Sequence, residues 1–432
     1  MTLALPLSTS NAQPSGAPGD ATAHKASKIL EVNVTGDPDR LQGQPVVAVN
    51  PKNDKNLVYV STDDIVDGAT LKELKCYVAY SRDGGSTWKR VAWPYGNSPQ
   101  CGDPYLAVDS EGVFYLSFNK LGCPDNPSGP PNGTCNGVPN RIGVARSTDG
   151  GRTWSDPVDS AVDRGTTPRL RVDMATNDVY VVGGGVYPGP ATITVSKDQG
   201  RTWSPAAALP SQPFGDQIAV QDHVLATATG MKIVNGTSTV PTEVLFQVSR
   251  DEGKSFVSSP VTDSSGTPVA PAEGALVPSA ALATTDPIPW ISADPTRSGR
   301  FAVMVPRGDN VEVYVTKDTG RSWTGPAVIA APHAAKPWID YGSNGVLGVM
   351  WRSVTDGNVD AYSAVSFDHG KSFSRPLKVN RTSHPYTFTG SGGDEWSRIT
   401  VRGRYAYVSW SDARTGGAID GIVSRVPLSL YR

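Results

Sequence analysis

Six aspartates recur in one eight-residue setting, Ser/Thr-x-Asp-x-Gly-x-Ser/Thr-Trp/Phe, and a repeated carboxylate could act as an acid, a base or a metal ligand. They are Asp83, Asp149, Asp198, Asp251, Asp318 and Asp368. A carboxylate in this setting can also accept hydrogen bonds from the N–H groups of its own loop. The glycine two positions later tolerates positive φ, and the closing aromatic ring can anchor the turn in a core. We therefore predict that these aspartates close structural turns.

Four cysteines form a second group with chemical potential, and all of them lie within positions 76–135. Four cysteines allow more than one disulfide connectivity. We favour Cys76–Cys101 together with Cys123–Cys135, because the second pair would hold a loop rich in Pro, Gly and Asn. The chain has neither the C-x-x-C spacing nor the paired histidines typical of zinc sites, so we predict no metal and no cofactor.

The remaining composition excludes several functional classes. Lys and Arg number 39 against 41 Asp and Glu, for a net charge of −2, and no basic run suggests nucleic acid or a membrane as partner. No apolar stretch reaches the ~18 residues that a transmembrane helix needs. The cysteines, four Asn-x-Ser/Thr sequons and a short apolar N-terminal run favour secretion. We expect residues 1–28 to be disordered or a signal remnant, and residues 29–432 to form one monomeric domain.

Short apolar runs alternate with turns along the chain, which indicates an all-β repeat protein. A strand motif, in most copies beginning with proline, stands before each repeated turn and once more near the C-terminus. Its seven copies are Pro45–Val49, Pro104–Val108, Pro168–Val172, Asp216–Val220, Pro289–Ala293, Pro337–Tyr341 and Ser397–Val401. The seventh unit shows three strands and lacks the aspartate turn. The chain therefore contains seven units with six aspartate turns.

The six turns resemble the Asp-box, or BNR repeat, of the sialidase-like β-propeller superfamily, and the resemblance covers residues 44–428. It implies that each unit is one blade of a propeller. Seven units then predict seven blades, with residues 29–34 pairing beside Gly421–Val426 as the outer strand that the last blade lacks. This pairing would close the ring and remove its open sheet edges. A six-bladed ring with an appended hairpin is the alternative.

The resemblance also implies a site at the mouth of the central channel, where inner strands begin and second strands end, opposite the Asp-boxes. The candidate catalytic residues there and in the loops before the last two blades are Asp103, Asp216, Glu395, His333 and His384. The candidate substrate-binding residues are Tyr105, Arg169, Arg307, Lys336, Arg352, Arg398, Arg414 and Trp338. Arginine forks hold carboxylates and aromatic faces stack on sugar rings, so this mixture suits an acidic sugar. Each of these residues also has a structural reading, as a turn aspartate, a loop arginine or an inter-blade tryptophan.

Three functions remain open on these residues. The first is a sialidase-like glycoside hydrolase in which carboxylates perform acid–base chemistry on an acidic glycan. The second is a polysaccharide lyase that acts on a uronic acid with a histidine or tyrosine base. The third is a propeller that binds glycan or protein without catalysis, since fold does not determine function. We expect a carbohydrate-active enzyme, and the first function is favoured.

Overall fold

The computed structural model describes residues 28–37, 39–67, 70–92, 100–121, 134–135, 138–139, 141–163, 168–184, 191–210, 218–229, 232–234, 237–239, 243–271, 289–385, 396–414 and 419–432. Within these ranges the chain is almost entirely β-structure, with one 3₁₀ helix at Leu428–Tyr431. Among the helices of the described chain, none has the length and apolar character needed to cross a membrane.

Seven antiparallel sheets stand in a ring, and their innermost strands contact one another from the first blade round to the last. The inner strands are Val46–Val49, Gln100–Val108, Arg169–Val172, Ile218–Gln221, Trp290–Ala293, Ala334–Tyr341 and Arg398–Arg402. The second strands are Leu57–Thr62, Phe114–Leu121, Val179–Gly184, Val224–Thr229, Phe301–Arg307, Leu347–Thr355 and Tyr405–Asp412. The prediction of an all-β, seven-bladed propeller is confirmed.

The outer half of each blade continues the same antiparallel order. The third strands are Cys76–Ser81, Arg141–Ser147, Ala191–Ser196, Leu245–Ser249, Asn310–Thr316, Asn358–Ser366 and Asp420–Pro427. The outer strands are Lys89–Arg90, Val158–Asp163, Ala207–Ala208, Val257–Pro260, Thr324–Ala330, Leu377–Lys378 and Leu30–Asn33. Small hairpins lie between second and third strands at Ile65–Asp67 with Thr70–Glu73, Thr134–Cys135 with Val138–Pro139, and Lys232–Val234 with Thr237–Thr239. The short strand His384–Pro385 pairs with the third strand of blade 6.

The ring closes through the N-terminal strand, as the sequence predicted. Leu30 lies opposite Arg425 and Asn33 opposite Ile422, in antiparallel register. The backbone N–H of Val34 adds a hydrogen bond of 2.9 Å to the carbonyl of Gly421. Blade 7 thus takes three strands from the C-terminal end of the chain and one from the N-terminal end, which removes the open edge that its third strand would otherwise present.

The six aspartate turns connect third to outer strands and lie at the end of the ring opposite the inner-strand starts. In the first turn, Asp83 Oδ1 accepts the backbone N–H groups of Ser86 and Thr87, both at 2.9 Å. The Ser81 and Thr87 hydroxyls also donate to this carboxylate, at 2.8 and 2.6 Å. Although partial burial opposes them, these hydrogen bonds lower the pKa of Asp83 to about 2. The carboxylate is therefore fully used in holding its own loop, which confirms the predicted structural role.

In four of the six turns the glycine has a second role, because the turn packs closely against the preceding blade; these glycines are Gly151, Gly253, Gly320 and Gly370. At Gly320, where φ is +82°, a Cβ atom would lie 2.6 Å from the Phe246 ring of blade 4. At Gly370, where φ is +92°, it would lie 2.6 Å from Val315 of blade 5. Positive φ and close approach to a neighbouring core side chain both require glycine here.

One disulfide joins the first two blades, between Cys76 and Cys101, with the Cα atoms 5.6 Å apart. It links the start of the third strand of blade 1 to the inner strand of blade 2, and it confirms half of the predicted pairing. The other half cannot be placed in the same way, since Cys123 and the Cys135 side chain lie outside the described residues.

Candidate functional site

Near the start of the inner strand in three blades, the residue directly before a proline has an unusual backbone conformation. Gln44, Asp103 and Lys336 have φ of 55°, 47° and 48°. Strand pairing shifts register between Gly102 and Tyr105, and again beside Lys336. Left-handed backbone at such residues costs about 1–3 kcal/mol each, and bulges re-aim the side chains that they carry. The propeller thus holds these three polar side chains at the mouth of its channel at an energetic cost.

Below these residues, two arginines pack among aromatic rings. We name Tyr105, Arg169, Trp338, Trp396 and Arg398 the arginine–aromatic cluster. The guanidinium carbon of Arg398 lies 3.9 Å from the centroid of the Trp338 ring and 4.9 Å from that of Tyr105. The guanidinium carbon of Arg169 lies 5.1 Å from the Tyr105 centroid and 5.3 Å from that of Trp396. The cluster gathers side chains of blades 2, 3, 6 and 7.

Two further cations border the cluster. Lys336 Nζ lies 5.3 Å from the Trp396 ring centroid. Arg171 donates a hydrogen bond to the Tyr105 hydroxyl, and its guanidinium carbon lies 5.1 Å from the Tyr105 ring centroid. Four positive charges therefore lie around a few aromatic rings on this side of the channel.

The guanidinium of Arg398 is the most unusual group of the cluster. The residue is 3% exposed, and none of its three nitrogens has a hydrogen-bond acceptor among the described residues. Burial, with the nearby charge of Arg171, lowers the pKa of Arg398 to about 10. Burial and the adjacent Arg398 likewise bring the pKa of Arg169 well below its ordinary value. A buried cation of this kind gains most from an anion that approaches it.

Two neighbouring carboxylic acids, Asp103 and Asp64, lie in contrasting environments, and the charge of Asp103 reaches Arg169 of the cluster. Asp103 accepts hydrogen bonds of 2.9 Å from Gln44 Nε2 and from Asn119 Nδ2. Asp64 is 1% exposed, and its Oδ1 has no hydrogen-bond partner in the described part of the chain. Burial, and then the charge of Asp103, raise the pKa of Asp64 well above its ordinary value. Two neighbouring acids whose environments differ in this way form a potential acid–base pair.

Asp63, the residue before Asp64, is held quite differently. Its carboxylate forms salt bridges with Arg40 at 2.9 Å and with Arg90 at 2.7 Å. It also accepts a hydrogen bond of 3.1 Å from Gln42 Nε2. Two arginines thus hold the Asp63 carboxylate, whereas at Asp64 a backbone hydrogen bond from Lys75 and the charge of Arg40 only partly oppose the effect of burial on its pKa.

A second group of candidates meets between blades 6 and 7. Arg414 forms salt bridges with Asp412 and, at 2.6 Å, with Glu31 of the closing strand. His384 Nε2 lies 3.9 Å from Asp412. Burial lowers the pKa of His384, to which the buried Arg352 also contributes. These contacts bring His384, Arg352 and Arg414 together. The salt bridge from Arg414 to Glu31 also joins the N-terminal strand to blade 7.

The last two described candidates stand apart from both groups. Arg307 pairs with Glu312 of its own hairpin at 2.9 Å and donates a hydrogen bond of 2.8 Å to the Ala270 carbonyl. His333 is exposed, and its backbone N–H donates to Asp309. Among the described contacts, none joins Arg307 to Arg352 or Arg414. Asp216 and Glu395 lie outside the described residues.

Sequence reasoning placed Tyr105, Arg169, Lys336, Trp338 and Arg398 at one mouth, and the structure brings these five together. It missed Gln44 and Arg171 and gave Asp64 no special weight. The signal for Arg171 was present in strand alternation, because residues two apart on a strand share a face and Arg169 was already a candidate. The signal for Gln44 was its place before a proline at an inner-strand start, the place that Asp103 and Lys336 also occupy.

Among the described residues, the acidic and histidine side chains do not form a metal site. In the ranges that the structure describes, no group of three His, Cys, Asp or Glu side chains is arranged to hold a metal ion. The charges at the channel mouth are mainly cationic, and such a donor set favours an anion over a metal.

Among known proteins, the chain is similar only to solved structures. No family model matches the chain. No curated protein matches it either. A protein of unknown function from Dyadobacter fermentans is 12% identical, with a TM-score of 0.46, over 93% of this chain and 99% of that one. The K499G mutant of the NanB sialidase of Streptococcus pneumoniae is 13% identical, with a TM-score of 0.46, over 80% of this chain and 70% of that one. An α-L-arabinanase of Penicillium chrysogenum is 15% identical, with a TM-score of 0.45, over 92% of this chain and 98% of that one.

Proposed function

We propose that this protein is a glycoside hydrolase that acts on an acidic glycan at the mouth of its central channel. The observation that carries the proposal is the buried guanidinium of Arg398, which has no hydrogen-bond acceptor among the described residues. The adjacent Arg169 lies within electrostatic reach of Asp103, the neighbour of Asp64. Burying a cation without an acceptor is costly. The cost is offset if the site binds an anionic group of the substrate.

Binding uses the arginine–aromatic cluster. In the proposed complex, Arg398 and Arg169 donate hydrogen bonds to the carboxylate of the sugar, and Lys336 adds a further positive charge. The fork of donors on a guanidinium matches a carboxylate in two parallel hydrogen bonds. The Trp396 ring, already flanked by Lys336 and Arg169, offers an apolar face to the sugar ring.

Proton transfer falls to the acid pair. Asp64, protonated because of its raised pKa, donates its proton to the glycosidic oxygen as the bond from that oxygen to the anomeric carbon breaks. Asp103, held by Gln44 and Asn119, provides the carboxylate that stabilises the developing positive charge of the sugar. Water then supplies the hydroxyl group to the anomeric carbon, and its remaining proton restores Asp64. The overall reaction adds one water across the glycosidic bond.

The first test is an activity screen against a panel of acidic and matched neutral glycans. We expect new reducing ends from acidic substrates without ultraviolet absorbance from an unsaturated uronate. Absorbance of that kind would identify a polysaccharide lyase and overturn the proposed reaction. Binding without any product would identify a glycan-binding propeller and would also overturn it.

The second test compares two arginines six residues apart. Arg398→Gln removes the buried guanidinium, whereas Arg404→Gln alters an exposed turn. We expect Arg398→Gln to weaken the interaction with an acidic glycan by about 2–5 kcal/mol, measured as kcat/KM, and Arg404→Gln to leave it unchanged. Equal effects of the two variants would contradict the proposed role of Arg398.

Secretion also belongs to the proposal. The buried Cys76–Cys101 disulfide supports it, since disulfides persist in oxidising compartments. Expression with and without an export signal, followed by thiol labelling of the folded and the unfolded protein, tests it. If Cys76 and Cys101 are still free thiols in protein that has folded in the cytosol, the disulfide no longer supports secretion.

A further inference from the structure

The central channel continues below the arginine–aromatic cluster as a chamber of about 190 Å³. Tyr105, Trp338 and Arg398 line its upper end, and Arg402 lies at the other end of the same inner strand as Arg398. Arg398 and Arg402, four residues apart on this strand, both line the chamber. The glycan chemistry proposed above does not involve the chamber below the rings.

The chamber carries more positive than negative charge. Its described lining includes three arginines, Arg171, Arg398 and Arg402, against one carboxylate, Asp340. Asp340 accepts a hydrogen bond of 3.3 Å from Ser292 Oγ. Burial raises the pKa of Asp340 to about 6, although the charges of Arg171 and Arg402 oppose the rise. Burial lowers the pKa of Arg402, and Asp340 only partly counteracts this. One acid therefore leaves most of the cationic charge in the chamber uncompensated.

We propose that this chamber binds one tetrahedral inorganic oxyanion, phosphate or sulfate, between Arg171 and Arg402. A volume of about 190 Å³ exceeds several times the ~30 Å³ share of one water molecule, so a five-atom oxyanion fits with water around it. Arginine is suited to such anions because its planar donors form two parallel hydrogen bonds, and Arg402 can offer such a pair. Arg171 offers its second terminal nitrogen, since its Nε and other terminal nitrogen donate to the Ile218 and Leu170 carbonyls and to the Tyr105 hydroxyl. Arg171 comes from blade 3 and Arg402 from blade 7, so the anion links strands on two sides of the ring.

The anion would act as a stabilising ligand of the folded ring. A ligand that binds the folded state and not the unfolded chain raises Tm in proportion to the logarithm of its concentration above Kd. The effect requires both arginines in place, which only the closed propeller provides. This consequence holds whether or not the channel mouth hydrolyses a glycan.

The test measures Tm of the dialysed full-length protein in phosphate, sulfate or chloride at equal ionic strength. Phosphate and sulfate also stabilise proteins non-specifically, so Arg402→Gln is compared with Arg404→Gln, which changes an exposed arginine two residues away. We expect saturating phosphate to raise Tm of the wild type and of Arg404→Gln about 3 °C more than that of Arg402→Gln. Equal shifts in all three proteins, or a shift in none, would overturn the proposal.

A second variant protects the test if Arg402→Gln fails to fold. Asp340→Asn removes the carboxylate that competes with the anion but keeps a side chain of the same size. We expect it to bind phosphate more tightly than the wild type by calorimetry, and to depend more strongly on phosphate for its Tm. Affinity equal to or weaker than that of the wild type would overturn the placement of the anion beside Asp340. Sulfate binding without phosphate binding would identify sulfate as the ligand, and the reverse would identify phosphate.

Discussion

Aspartates at the two ends of the propeller have contrasting surroundings. At the end with the aspartate turns, Asp83 takes all its donors from residues 81–87, so the loop satisfies its own carboxylate. At the channel mouth, Asp103 takes its donors from Gln44, which precedes the inner strand of blade 1, and from Asn119, on the second strand of blade 2. Asp64 Oδ1 and the three side-chain nitrogens of Arg398 have no hydrogen-bond partner among the described residues.

The contrast between these surroundings shows where reactive groups can arise in the propeller. A carboxylate whose partners lie within a few residues is ionised, and its energy is spent on local structure, as the lowered pKa of Asp83 indicates. A carboxylate that the ring buries among other charges keeps an altered pKa and an unused hydrogen-bonding group, as at Asp64. Perturbed groups of the second kind concentrate at functional sites.

The largest expected effect is on catalysis at the channel mouth. Asp64→Asn keeps the shape of the side chain but removes the proton that is proposed to reach the glycosidic oxygen. We expect kcat on an acidic glycan to fall by about 10²–10⁴-fold, as is usual when a general acid is lost.

The adjacent Asp63 provides the control. Asp63→Asn breaks the salt bridges with Arg40 and Arg90, so it should lower the free energy of unfolding while it leaves the specific activity of the folded fraction intact. If both variants lose activity to the same degree, Asp64 is not the proton donor.

The pH dependence of activity sharpens the same assignment. Asp64 must be protonated to act, and its pKa is raised from an ordinary value of about 3.9. We expect kcat/KM to fall about tenfold per pH unit on the alkaline side of that raised pKa, measured with a substrate whose own charge is constant. A rate that rises through this range would show that the group acts as a base.

Much of the fold could be predicted because its signals are local. Each of the six aspartate turns is recognisable from eight consecutive residues. The closing strand follows from an apolar run, Ile29–Val34, that belongs to no other blade. The Cys76–Cys101 disulfide follows from four cysteines in one region. Each of these features depends on a short stretch of chain or on a count, and both can be read from a sequence.

The site was harder to predict because its partners come from different blades. Arg307 and Arg414 were expected to bind substrate, but each has a carboxylate within five residues, Glu312 or Asp412, and the structure pairs them there. Arg398 has no hydrogen-bond acceptor among the described residues, although Asp394 and Glu395 stand four and three positions before it in the sequence. A carboxylate close in sequence therefore does not by itself predict which arginine it pairs with.

A smaller effect is expected at the opposite end of the ring. Asp318 accepts the Ser322 N–H at 2.9 Å and the Thr316 hydroxyl at 2.8 Å. Asp318→Ala should lower the free energy of unfolding by about 1–2 kcal/mol, measured by urea denaturation, and leave kcat unchanged. Lys317→Ala, at an exposed neighbour, should have almost no effect on either quantity. Loss of activity in Asp318→Ala at full stability would break the division between the two ends.

The smallest expected effect is on the stability of Asp64→Asn, and it is opposite in sign to that of the Asp318 variants. Because the pKa of Asp64 is raised in the folded state, the folded protein loses stability as pH rises from about 3.9, where the unfolded side chain ionises, up through the raised pKa. Asp64→Asn stays neutral throughout, so it should raise Tm relative to the wild type at pH 7 and make little difference below about pH 3.9. Asp318→Asn should instead lower Tm at pH 7, because the lowered pKa of Asp318 means that its ionised form stabilises the fold. Melting curves of the two variants at both pH values decide the matter, and a lower Tm for Asp64→Asn at pH 7 would mean that this buried carboxylate supports the structure as the turn aspartates do.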